Sequence, residues 1–594
     1  MKNNPFAVKS PESLSPQDIA KLFVDVFSDF PKILDIGHTF IHGARGTGKS
    51  MMLRYLEPLV QIEAQKYPNV SSLPFLAIHV PIRNAQLRLS EWNRLKGLAY
   101  EALAEHLLVA HISARTFNTL SQLCQTSCRS DEAKEFYINF INLLKSAGIV
   151  TEQVSLDDKN LNYFIALEDI CDNSFTTGRN YLKRLSLAQV HIPYDGPLMG
   201  YLDLFVKAAK LIQKLSFTPN GPIYLMLDDA DNLPIGLQKL VNTWVSCRTS
   251  ETVCLKVSTQ LNYSTYMTTD GNYIETPHDY SEVDISTIYT SNKDHYYDRV
   301  YQIVKKRLSA YDINVDPIDY FPCNEKQALA IAEIKKSLIA NWKEKKLAGS
   351  GGYRASDEST RYSRPDYMKQ LAGNSKSSHT YSYAGFKSLV DISSGVIRWF
   401  LEPASRMYNE TLSRTKGISS VNIVPYQIQD DVINKWSEEF IISDFEKIAK
   451  TAEIESNNTL TSKNINMLFK LIDSLGQFFR KKLLNDKTER RVFSVMIADD
   501  ISPELKEILQ LGVEWGYFLR STIGSKEGKG RKPLYIMNRR LAPYFKLDPC
   551  GYSHHISVTS SQLVLACSDT NKFLREKFKA KDIEQLVLPL GGAQ

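Results

Sequence analysis

Short, nearly unbroken apolar runs alternate along this chain with longer stretches whose apolar residues recur every three or four positions. The runs His38–His42, Ile78–Ile82, Ile223–Leu227 and Val253–Val257 read as buried strands, because strands covered on both faces lose the polar alternation of a half-exposed sheet. Helical spacing appears over Met51–Leu56, from Trp92 to Leu108, from Ala133 to Leu144 and from Tyr201 to Leu215. It returns over Tyr301–Leu308 and from about 425 to 483. The stretch from Gly349 to Ser382 has low apolar density and is rich in Gly, Ser, Arg and Tyr, which predicts a mobile loop. Further on, Val492–Ile497 is followed by a helix expected over Pro503–Arg520. Two strand-like pieces then flank a basic tip at Gly524–Lys532. Strands interleaved with helices predict an α/β architecture with a parallel sheet.

Composition narrows this little. The 594 residues imply several domains, and 43% hydrophobic with 23% charged residues is ordinary for a globular chain. A formal charge of +6 permits contact with nucleic acid without arguing for it. Eight scattered cysteines, with no secretory segment ahead of Asn4-Pro5-Phe6, predict a cytoplasmic protein. No run reaches the roughly 18 apolar residues that span a bilayer, so no membrane partner is expected. Cys124 and Cys128 can share a helix face, but no second metal-spaced pair accompanies them, and they read as buried or free thiols.

The chemistry begins at Gly43-Ala44-Arg45-Gly46-Thr47-Gly48-Lys49-Ser50, which has the G-x-x-x-x-G-K-[ST] spacing of a P-loop. Glycines let the backbone curl so that its N–H groups point at phosphate oxygens. The ammonium of Lys49 reaches the β- and γ-phosphates, and the Ser50 hydroxyl ligates Mg²⁺. A strand precedes the loop and a helix follows it. The phosphates of ATP would therefore sit at a helix N-terminus, with Met51 completing the contact set.

Hydrolysis needs an acidic strand end. Ile223-Tyr224-Leu225-Met226-Leu227-Asp228-Asp229 supplies one, with Asp228 placed to hold the metal and Asp229 to polarise water. The strand ending Lys256-Val257-Ser258-Thr259-Gln260 offers a polar side chain that can orient water against the γ-phosphate. In Asp391–Leu401, Ser393 or Ser394 is placed to cap a helix beginning near Gly395. Arg398 then lies one turn in, beside an apolar stripe of Ile397, Phe400 and Leu401.

In this order the motifs resemble the AAA+ ATPases, and more narrowly the origin-recognition and replication-initiator clade with its bacterial relatives. Asn4-Pro5-Phe6 looks like that family's adenine-flanking segment, and Ser394–Arg398 resembles its lid-helix motif. The resemblance implies that Arg398 is the second sensor and Thr259 the first, with Ser258 or Gln260 as neighbours able to take that role. It implies an AAA+ core over 1–90 and 215–310, a helical insertion over 91–214, and a helical lid over 311–425 with a mobile loop at about 345–382. Beyond these lie a helical and winged-helix-like domain over 426–550 and a tail over 551–594. It further implies homo-oligomers with sites completed by a neighbour. Arg248, Arg299 and Arg307 are the candidates for an arginine finger.

One departure matters. Asp229 stands where the family usually has glutamate, so its carboxylate falls about 1–1.5 Å short of the water, a misplacement worth around 10²-fold in rate. A slow ATPase acting as a switch is expected. The same Asp-Asp ending occurs in STAND-type signalling ATPases, which leaves a sensor in bacterial antiviral defence, recruiting a separate effector protein, as an alternative. A DNA-binding initiator or loader is another: Lys526, Lys529, Arg531 and Lys532 on the basic tip suit phosphate contacts. Glu504, Glu507 and Glu514 on the preceding helix oppose DNA, and winged helices also serve as protein-contact modules.

Overall fold

The computed structural model describes residues 4–25, 30–83, 87, 89–127, 130–146, 148–149, 162–189, 192–260, 263–285, 293–344, 355–373, 380–415, 421–454, 461–485, 491–524, 531–550 and 554–578. Cys128, Lys526 and Lys529 lie outside them. The chain forms two compact units, Lys9–Lys306 and Met1–Val8 with Arg307–Gln594.

The first unit is built on strands β1 (His38–His42), β2 (Leu76–Pro81), β3 (Ile223–Asp228), β4 (Val253–Thr259) and β5 (Tyr280–Asp284). All pair in parallel, in the order β2-β3-β4-β1-β5. The sheet is covered on both faces. Phe40, Leu225, Leu227, Leu255 and Val257 enter one core. Ile41, Tyr224, Met226 and Cys254 enter the other. That two-sided burial is why the strands read as unbroken apolar runs.

Helix α1 (Lys49–Tyr55) packs in the second of these cores. The first is shared with α2 (Leu98–Ser127), α3 (Ser130–Ser146), α4 (Tyr163–Leu187) and α5 (Ile235–Ser246). The segment expected as a helical insertion is thus continuous with the sheet. Its Phe117, Phe140 and Phe164 belong to the same buried cluster as Leu225.

The second unit contains α6 (Glu325–Glu344), α7 (Ala355–Gly373), α8 (Ile397–Arg414), α9 (Tyr426–Ile441), α10 (Ser462–Leu484) and α11 (Pro503–Glu514). Strands β6 (Val492–Ile497), β7 (Phe518–Gly524), β8 (Arg531–Met537) and β9 (His554–Val558) form a sheet ordered β7-β8-β6-β9. The hairpin β7–β8 is antiparallel, whereas β9 joins β6 in parallel.

Three expectations are corrected here. Part of the stretch read as a mobile loop is helix α7, which pairs with α6. Its Met368 is buried in the C-terminal core, and its Arg364 is directed at Cys550 and Asp548 rather than at solvent. The helix expected over Pro503–Arg520 ends at Glu514, because Gly516 (φ 77°) turns the chain into β7. The segment read as a tail carries β9 and two helices, α12 (Ser560–Ser568) and α13 (Thr570–Lys577). Buried Leu563 and Phe573 join them to the core around α10.

Candidate nucleotide-binding site

Strand order decides which side chains meet. Because β4 lies between β1 and β3, the loop after β1, the polar end of β4 and the acidic end of β3 stand side by side at the C-terminal edge of the sheet. The Gly43 amide donates to the Thr259 carbonyl at 3.2 Å, tying the loop to β4. Gly46 (φ 89°) and Gly48 (φ 106°) take left-handed backbone, which a side chain would strain. Helix α1 follows with Gly48 at its N-cap, so no side chain caps its first N–H groups. Free amides at a helix N-terminus are a ready anion site.

Lys49 is buried and donates to the carbonyls of Gly43 at 2.7 Å and Ala44 at 3.3 Å. Burial lowers its pKa, while Asp229, Asp228 and Asp231 oppose that shift.

Asp228 is 2% exposed and fully engaged. One oxygen accepts the Ser258 hydroxyl, and the other lies 3.1 Å from Nε2 of His79 on β2. Burial pushes its carboxyl up, but His79, Ser258 and the Ser50 hydroxyl together hold it below its ordinary value. The Asp228 carboxylate and the Ser50 hydroxyl are hard oxygen donors, the chemistry Mg²⁺ prefers.

Asp229 follows in left-handed backbone (φ 56°). Its amide donates to Ser258 Oγ at 2.9 Å. Burial, and then the charge of Asp228, raise its carboxyl to about 6, against the pull of Lys49.

The two candidate sensors on β4 part company because successive strand residues face opposite ways. Ser258 braces both acids. Thr259 Oγ1 lies 2.7 Å from Nδ1 of His42 and makes no hydrogen bond to either aspartate. The Gln260 amide donates to Asp231 at 2.9 Å. His79, His42 and Asp231 escaped sequence reasoning. The available signal for His79 was a single polar residue inside an otherwise apolar run, on a strand ending beside the acidic one.

Arg398 is the second residue of α8, half-buried, in the other compact unit. The serines before it do not cap that helix: its N-cap is Val396, with no side-chain bond. Ser393 instead bonds Val390, and Ser394 (φ 51°) accepts the Arg539 amide at 2.9 Å. Within the same unit, Asn4 bonds Ser405 and Asn409 of α8, and Phe6 packs on Tyr320 and Phe321. Of the finger candidates, Arg248 is exposed and Arg299 is buried. Arg307, read as a finger or a solvated residue, is half-buried and holds the Pro5 carbonyl at 2.9 Å.

A parallel sheet with a P-loop after β1 and paired acids after β3, extended by a C-terminal domain, defines an α/β AAA+ fold. The ORC-CDC6-like family model matches residues 4–558, and the chain belongs to that origin-recognition and Cdc6-like group of AAA+ ATPases. No curated protein matches it. Among solved structures it is similar to the Aeropyrum pernix ORC1 protein in complex with DNA, at 10% identity over 91% of this chain and 94% of that one, with a TM-score of 0.24. No helix among the described residues is long and apolar enough to cross a membrane.

Proposed function

We propose that the protein is a nucleotide-dependent switch that binds ATP with Mg²⁺ and hydrolyses it slowly. The observation carrying this reading is the convergence of Lys49, Ser50, Asp228, Asp229 and Ser258 at one edge of the sheet. The P-loop amides and Lys49 would grip the phosphates. Ser50 and Asp228 would hold the metal, which supplies positive charge against the phosphate oxygens. Asp229 would accept a hydrogen bond from the attacking water, and Arg398 would report nucleotide occupancy to the lid. Hydrolysis is slow in this reading because aspartate reaches less far than glutamate.

The C-terminal unit supports a winged-helix reading, with α11 followed by the β7–β8 hairpin and its basic tip. DNA is the proposed partner, as it is in the ORC1 complex. A homo-oligomer completing each site is proposed with it. The deciding experiment measures ATP affinity and turnover with and without duplex DNA, for the wild type and Lys49→Ala. Magnesium-dependent binding that is lost in Lys49→Ala supports the reading. A wild type that retains no ATP with the metal present overturns it.

A further inference from the structure

Beyond its contact with Asp228, His79 belongs to a second site. Its Nδ1 lies 3.8 Å from Oε1 of Glu57, and both residues line a cavity of 360 Å³ in the first unit. The walls come from the N-terminal segment, the end of α1, the end of β2 and the middle of α2. The volume falls in the range of small-molecule sites, roughly 300–1,000 Å³.

The charges lining it are not equivalent. Arg54 is consumed: its Nε and Nη2 clasp the two Glu57 oxygens at 2.9 and 3.1 Å, and its Nη1 serves the Pro11 and Leu14 carbonyls. Glu12 accepts the Ser10 hydroxyl. Arg83 and Arg115 have neither a hydrogen bond nor an ion pair from their guanidinium groups among the described residues. Glu168 and Asp172 on α4 feel the charge of Arg115, but burial raises both carboxyls, and the Glu168 oxygens already take the Asn118 amide at 2.9 and 3.1 Å. Two uncommitted guanidinium groups on a polar wall favour a phosphate, which accepts forked N–H donors.

We propose that this cavity binds a small phosphorylated ligand, and that its occupancy is passed through Glu57 and His79 to Asp228. The binding half stands alone; the coupling half rests on the nucleotide-site reading above. An occupant competing for Arg54 or shifting Glu57 moves the carboxylate 3.8 Å from Nδ1 of His79, whose other nitrogen steadies Asp228.

The test uses the full chain carrying Lys49→Ala, which removes the P-loop site, with inorganic pyrophosphate and AMP as calorimetric probes. Saturable binding is expected, weakened at least tenfold by Arg83→Ala with Arg115→Ala. Tighter pyrophosphate than AMP identifies a polyphosphate anion, and the reverse order a nucleotide. No saturable binding at millimolar probe, or binding indifferent to the two arginines, overturns the site. In protein with Lys49 intact, the probe is expected to shift ATP affinity severalfold, and His79→Gln to abolish that shift while still binding the probe. A shift that persists in His79→Gln overturns the coupling. A wild type that binds no ATP overturns only the nucleotide reading, because the Lys49→Ala titration does not depend on it.

Discussion

Ser258 donates its hydroxyl proton to Asp228 and accepts the Asp229 amide at 2.9 Å, so one small side chain orients both acids. Removing it leaves a buried carboxylate oxygen and a backbone N–H short of a partner, a cost of about 1–3 kcal/mol. Expressed in catalysis, that is about 5- to 150-fold in rate. Ser258→Ala is therefore expected to lower turnover more than Thr259→Ser, which keeps a hydroxyl beside His42. Steady-state phosphate release by the two variants checks the ranking. Equal losses would mean that bracing the acids is not what β4 contributes.

Asp229→Glu restores the missing methylene. If reach limits the reaction, turnover rises by an order of magnitude or more while ATP affinity stays close to the wild type. Asp229→Asn in the same assay should be inactive. A glutamate variant no faster than the wild type would place the slow step elsewhere, in product release or lid movement.

Much of this site was legible because its chemistry is local in sequence. The loop Gly43–Ser50 and the pair Asp228-Asp229 sit at fixed offsets within single elements, and the apolar runs ending beside them fixed the sheet edge. His79 was not legible: it lies 149 residues from Asp228, and only the pairing of β2 with β3 brings the two together. β5 was missed because Tyr280-Ser281-Glu282-Val283-Asp284 alternates polar and apolar at the sheet edge, where the core demands less. α7 was missed because its Ser-, Arg- and Tyr-rich sequence lacks an apolar stripe. It is held by the preceding helix α6 and by ion pairing of Arg364 with Asp548, which is remote in sequence.

Buried histidines make stability depend on pH. His38 accepts the Leu255 amide at Nδ1 and His106 accepts the Met199 amide at Nδ1, each at 3.0 Å, so neither ring can take a second proton without losing that bond. Burial lowers both, and His111, to about 4. The unfolded chain binds these protons near pH 6.5 while the folded chain does not. Stability is thus complete above pH 6.5 and falls as pH drops toward 4, by about 1.4 kcal/mol per histidine per pH unit at most. Denaturant midpoints from pH 7.5 to 4.5 should show this slope, and His106→Gln should flatten it. A midpoint constant across that window would show that these rings are protonated in the folded state.

The basic tip of the β7–β8 hairpin is not uniform in its freedom to meet DNA. Lys532 spends its ammonium on the Ala498 carbonyl at 2.7 Å. Arg531 is exposed, and only its Nε and one Nη are directed at Thr522 across the hairpin. A half-buried ammonium bonded to backbone gains less from a phosphate than an exposed guanidinium with a further Nη outside its Thr522 bonds, so the two neighbours should separate experimentally. Arg531→Ala is expected to weaken duplex binding uniformly across sequences and to reduce the salt slope by about 1, the signature of one lost phosphate contact. Lys532→Ala should change affinity less while loosening the join between β8 and the end of β6. Anisotropy titrations of a labelled duplex at several salt concentrations measure both quantities. Should Lys532→Ala carry the larger loss in slope, the ammonium must leave Ala498 on binding. Should neither variant alter the slope, the hairpin does not touch the phosphate backbone, and a protein contact becomes the better account of this domain.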